Sequence, residues 1–150
     1  MRTLNQWFNE YGVSHQNPTN KLIHYICVPA IFFSVVGLLM CVKINFYNLN
    51  LPIIENLAFL ILIFVMIFYF RISVSMAIRM TIFSIICLVL NNFISNFISL
   101  WIFSLSTFII AWIGQFYGHK IEGKKPSFID DLQFLMIGPA WVIENLFSKK

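Results

Sequence analysis

The chain has 150 residues, of which 59% are hydrophobic, 17% aromatic and only 11% charged. No soluble domain of this size hides that much apolar surface in one core, so the balance excludes a soluble globular protein and predicts a single integral membrane domain, residues 1–150. The formal net charge of +4 calls for no nucleic acid, because basic loops beside anionic lipid headgroups account for it.

Residues 1–21 are polar overall, yet Leu4, Trp7, Phe8 and Tyr11 fall at i, i+3, i+4 and i+7. That spacing predicts a short amphipathic helix, lying on the membrane surface or packed against the bundle. No cleavable signal peptide is expected, since the first apolar run carries His24 and Pro29 without a small-residue cleavage pattern. Asn17-Pro18 predicts a bend, with Asn17 as N-cap and Pro18 at the first helical position.

Four apolar runs follow: Leu22 to Val42, Leu51 to Phe70, roughly Ala77 to Leu90, and Phe93 to Ile113. A helix needs about 20 apolar residues to cross a bilayer, which the first, second and fourth supply outright. The third does so if Arg79 snorkels to the surface. Glu55 is expected one turn into the second span, and Asn91-Asn92 to form the tight turn between the third and fourth. The last run, Leu132 to Phe147, contains Gly138-Pro139 and Glu144 and reads as broken, re-entrant or interfacial. The expected fold is all-α: an integral membrane bundle of four transmembrane helices, an N-terminal interfacial helix and a C-terminal broken or re-entrant helical segment.

Four crossings put Arg2, Lys21, Arg71, Arg79, Lys120, Lys124 and Lys125 on one side and Lys43 on the other. The positive-inside bias makes the richer side cytoplasmic. His15 and His24 precede or begin the first span and His119 follows the fourth, so all three histidines are expected at one depth, the cytoplasmic edge. The Ile-, Asn-, Phe- and Lys-rich composition and short loops favour a bacterial inner membrane over an endoplasmic reticulum membrane.

An imidazole close to lipid needs a polar partner, water or a metal. Once the Asn-Pro bend has aimed the chain, Asn20 and His24 share a helix face at i, i+4, while Trp112, Gln115, His119 and Glu122 form a stripe at i, i+3, i+7 and i+10. Three imidazoles and a carboxylate are plausible ligands for iron or zinc. His15, His24, His119 and Glu122 are the candidate metal residues, with Asn20 and Gln115 placed to orient a histidine one turn away.

The run Tyr11-Gly-Val-Ser-His15-Gln-Asn17-Pro18-Thr-Asn20-Lys-Leu-Ile-His24 with Pro29, and the run Trp112-Ile-Gly-Gln115-Phe116-Tyr-Gly118-His119-Lys-Ile-Glu122 with Pro126, resemble the two signature blocks of the iron-dependent 2-hydroxy fatty acid dioxygenase family. Family members are small multi-span proteins with one block near each end, so the likeness covers nearly the whole chain. The resemblance implies an Fe(2+) cofactor, with His15, His24 and His119 as metal-binding or catalytic residues. It also implies that a long-chain 2-hydroxy fatty acid reacts with O2 in contact with membrane lipid and is shortened by one carbon. Cys27 stands where some members have a glycine, a small change. Such a substrate can chelate through its carboxylate and hydroxyl, and Lys21, Arg71, Arg79 and Lys120 are candidates to hold the carboxylate.

Two other readings compete: a non-catalytic lipid-binding or assembly protein with a structural polar cluster, and a zinc hydrolase on the same ligands. Three histidines cannot build the multi-histidine boxes of membrane di-iron hydroxylases. Cys27, Cys41 and Cys87 lack metal-like spacing and read as small buried hydrophobes.

Overall fold

The structure, a computed structural model, describes residues 3–13, 15–44, 51–123 and 128–147, the last stretch as backbone alone at 128–135 and at 147. Six helices run in chain order: α1 (Leu4–Val13), α2 (Pro18–Met40), α3 (Leu57–Ile72), α4 (Val74–Ile94), α5 (Leu100–Glu122) and α6 (Phe128–Phe147). There is no β-sheet among the described residues, and an isolated bridge pairs Lys43 with Asn56. Of these helices α2, α4 and α5 are long and apolar enough to cross a membrane. Their exposed side chains include Ile26, Ile82, Phe93, Trp101 and Ile110, a surface suited to lipid.

The all-α expectation holds, but among the described residues three helices rather than four are both long and apolar enough for a span. The roles of the second and third apolar runs are exchanged. The second yields only the 16 residues of α3, because the chain from Pro52 to Glu55 turns before the helix begins. Asn56 starts it: its Oδ1 accepts the Phe59 N–H at 3.0 Å while its Nδ2 donates to the carbonyls of Pro52 and Ile53. Glu55 therefore precedes the helix instead of lying one turn inside it. The third run extends to 21 residues as α4, taking in polar flanks that a reading of apolar residues alone leaves out.

The expected loop from Arg71 to Arg79 shrinks to one residue. Ser73, in extended backbone, ends α3 by donating its N–H to Tyr69 O and begins α4 by accepting the Met76 N–H on its side chain. Arg71 lies in the last turn of α3, and Arg79 lies inside α4. Nor is Asn91-Asn92 a turn, since both residues belong to α4 and the turn follows at 95–97. Asn91 is fully buried and donates to the carbonyls of Phe33 and Cys87; those bonds take up the N–H groups of an amide that a turn would have left to solvent.

The chain divides into two compact units, residues 33–108 and residues 1–32 with 109–150. In the first, α3 packs on α4 around Leu62, Tyr69, Met76, Ala77 and Met80. Gly37 of α2 faces Asn91 and Ser104 so closely that no side chain fits there.

The second unit holds α1, the first half of α2, the last half of α5, and α6. The amphipathic α1 forms as expected and packs on α6 through its buried Tyr11. The C-terminal segment is not broken: α6 is one continuous 20-residue helix with Pro139 inside it. A proline in a helix interior loses a hydrogen bond and strains the preceding turn. Here residues 137–142 are all buried, and that packing offsets the loss. Glu144 is half-buried near the end of α6, and Lys149 and Lys150 lie outside the described residues.

Candidate metal centre

Local signals build each part of the site. Pro18 opens α2 and Asn17 caps it, Oδ1 accepting the N–H groups of Thr19 at 2.9 Å and Asn20 at 3.4 Å. The bend separates His15, just beyond α1, from His24 in the second turn of α2. Without it the two rings would point from opposite faces of one helix. His119 comes from the far end of the chain, near the end of α5.

The three imidazoles meet. One ring nitrogen from each of His15, His24 and His119 lies within 4.8 Å of the others. Ring centroids are 4.2 Å apart for His15 and His24, 5.1 Å for His24 and His119, and 5.8 Å for His15 and His119, all edge-on. All three rings are buried, at 3%, 1% and 5% exposure.

Two of the rings have their tautomer fixed by backbone. Nδ1 of His15 donates to Tyr11 O at 2.6 Å, and Nδ1 of His24 donates to Asn20 O at 2.9 Å. With the proton held on Nδ1, the lone pair sits on Nε2, which is the form that binds a metal. His24 Nε2 is buried and has no hydrogen-bond partner in the described structure. A buried ring nitrogen left so is unfavourable by roughly 1–3 kcal/mol, and a cation shared with the neighbouring rings satisfies it. Nitrogens bound at about 2.1 Å to one ion stand roughly 3–4 Å apart, which rings already within 4.8 Å of one another reach by a small inward shift. The residues fit a divalent transition metal.

Not every candidate joins the three rings. Glu122 turns its carboxylate to the backbone of Gln16 and Asn17 and to the Asn20 side chain, with contacts of 2.8–3.3 Å. Among the described residues, the side chains close enough to share an ion are the three histidines. Asn20, fully buried, joins the site from both ends, its carbonyl holding His24 and its amide donating to Glu122. Gln115 is buried one turn before His119 on α5, as is Trp112 one turn earlier, so the predicted stripe is the helix face turned inward. Lys21 is half-buried at the start of α2 and Lys120 is exposed beside His119.

Three supporting residues had no role assigned from sequence. Tyr11 stacks on His15 with centroids 4.1 Å apart and planes 12° from parallel. Its i, i+4 spacing was the available signal. Trp141 of α6 packs on both, 5.1 Å from Tyr11 and 5.6 Å from His15, and no spacing announces a partner so distant in sequence. Gly118 lets α5 approach α2: a Cβ there would overlap Asn20 Oδ1 and reach His24 Cε1 at 3.2 Å.

An all-helical chain with apolar spans and three buried, convergent imidazoles defines a class: a membrane protein with a metal-capable histidine centre. Within that class the sequence pattern described as "2-hydroxy-palmitic acid dioxygenase Mpo1-like" matches residues 1–150, and the chain belongs to this Mpo1-like family. It is 34% identical over 141 residues to the 2-hydroxy-palmitic acid dioxygenase MPO1 of Saccharomyces cerevisiae, covering 93% of this chain and 76% of the yeast protein. No solved structure matches. The relative is eukaryotic, and the preference for a bacterial inner membrane drawn from composition gains no support from it.

Proposed function

We propose that the chain is an iron(II)-dependent dioxygenase that shortens long-chain 2-hydroxy fatty acids by one carbon. The convergence of His15, His24 and His119 into one buried group carries this reading, and the family membership and the yeast relative's name supply the substrate class. The atoms balance when one 2-hydroxy acid and one O2 give the acid one carbon shorter, carbon dioxide and water.

His15, His24 and His119 would hold the ion, each through one ring nitrogen. Iron bound there would supply Lewis acidity and redox chemistry towards O2, which the side chains themselves lack. The chain's own contribution is placement. Tyr11 and Asn20 carbonyls aim two rings, Trp141 and Tyr11 cover the His15 face, and burial keeps bulk water from the imidazoles. Lys21 and Lys120 flank the site in sequence and offer a cation to the substrate carboxylate, while the acyl chain stays in the bilayer. In this reading α3 completes a fourth crossing with help from its flanks, and the site faces the cytoplasmic edge of the membrane.

The experiment is direct. Purified protein reconstituted with iron(II) receives 2-hydroxypalmitic acid under air, and the products are read by mass spectrometry. Formation of the fifteen-carbon acid, dependent on both iron and O2, supports the reading; an unchanged substrate with a fully iron-loaded, folded protein contradicts it.

A further inference from the structure

Glu122 closes α5, and both of its carboxylate oxygens face the chain's opposite end. Oε1 accepts the N–H of Gln16 at 2.8 Å and that of Asn17 at 3.3 Å; Oε2 accepts the N–H of Asn17 at 3.0 Å and Nδ2 of Asn20 at 2.9 Å. Each donor adjoins something that aims a histidine. Gln16 follows His15 in the chain, Asn17 caps α2, and the Asn20 carbonyl takes the Nδ1 proton of His24. Glu122 itself stands one helical turn beyond His119. A single carboxylate thus ties the helix that carries the third imidazole to the backbone that carries the first two.

We propose that Glu122 is a positioning residue of the metal centre: it sets the separation of the three ring nitrogens and is not itself a ligand. The role presupposes the metal-centre reading given above. An ionised carboxylate has about four acceptor sites; the three N–H donors turn both oxygens towards residues 16–20, while the ring nitrogens within 4.8 Å of one another come from the three histidines. Charge-assisted bonds of this kind are roughly twice as strong as neutral ones. They add to helix packing at this joint. Glu122→Gln keeps the size of the side chain but replaces one acceptor oxygen with an NH2 group that faces N–H donors.

Cobalt(II) separates the possibilities, because its visible absorption reports the ligand set while its titration reports affinity. Full-length wild type and Glu122→Gln in detergent micelles are titrated with Co2+, with thermal unfolding of the metal-free forms run alongside. The positioning role predicts one ion per chain in both, affinity lowered 10- to 100-fold in the variant, and the same spectrum at saturation. A changed saturated spectrum makes Glu122 a ligand and overturns the proposal. So does unchanged affinity in a variant that merely unfolds at lower temperature. Should Glu122→Gln not fold, Glu122→Asp keeps the charge and shortens the reach, and weaker binding with the wild-type spectrum is again the expected result. Wild type that takes up no Co2+ at all overturns the metal-centre reading itself, an outcome distinct from both others.

Discussion

Tyr11 and His15 are joined twice: the carbonyl of Tyr11 accepts the Nδ1 proton of His15 at 2.6 Å, and the two rings stack with centroids 4.1 Å apart. The first contact chooses the tautomer and the second holds the ring plane. Tyr11→Phe keeps both contacts, and its metal content is expected to match wild type. Tyr11→Ala empties a buried site behind His15, which destabilises by about 3–5 kcal/mol for an aromatic residue and frees the imidazole to rotate. Metal content after dialysis, read beside thermal unfolding, checks this; equal metal retention in both variants would deny the stack any part in holding the ring.

Two glycines at the end of α5 behave differently. Gly118 sits where a Cβ would meet Asn20 and His24, so Gly118→Ala must push α5 away from α2, at about 1–3 kcal/mol, and weaken metal binding at least tenfold. Gly123 has φ +74° with nothing within 4 Å of a notional Cβ; Gly123→Ala is expected to destabilise by about 1 kcal/mol through backbone strain with metal affinity unchanged. Isothermal titration with a divalent metal ion distinguishes the two, and equal effects on affinity would count against the close approach at Gly118.

Asn17 caps α2 through Thr19 and Asn20. Asn17→Ala should lower stability by about 1 kcal/mol, and Asn17→Ser should recover most of it because a hydroxyl can accept the same N–H. Asn17→Asp should not recover it as well, since a second carboxylate would face Glu122, whose oxygens already take the Asn17 N–H. Thermal unfolding of the three variants gives the order; an aspartate as good as serine would remove the electrostatic part of this account.

The metal's identity is separable from the fold. Zinc suits three imidazoles as well as iron does but has no redox chemistry. Zinc-loaded protein is therefore expected to unfold at a temperature close to that of the iron form and to leave a 2-hydroxy acid untouched under air. O2-dependent turnover by zinc-loaded, iron-free protein would contradict the proposed chemistry.

How far the sequence reached depended on whether the signal was local. The Asn17-Pro18 bend, the amphipathic α1 and the Trp112, Gln115, His119 stripe were legible because each is set by spacing within a few turns. The meeting of His15 and His24 with His119 agrees with the expected shared depth, although that expectation counted four crossings and three helices are long and apolar enough to be spans. What escaped was tertiary. Asn91 looks like a turn residue until the carbonyl of Phe33 appears beside it. Pro139 looks like a helix break until its turn is seen to be buried. Glu122 bonds to a segment more than 100 residues earlier, a contact that its spacing from His119 does not announce. A run of apolar residues also says little about helix ends, which is why α3 and α4 exchanged lengths: Asn56 and Ser73, two polar caps, set the boundaries.

The central claim is that His15, His24 and His119 together hold one redox-active ion. Iron content per chain, measured by elemental analysis on wild type and on His24→Ala and His119→Ala purified identically, tests it most directly. The account predicts about one iron per wild-type chain and almost none in either variant, with all three proteins helical by circular dichroism. Iron retained in both variants, or a folded wild type that binds none after reconstitution with iron(II), would contradict it.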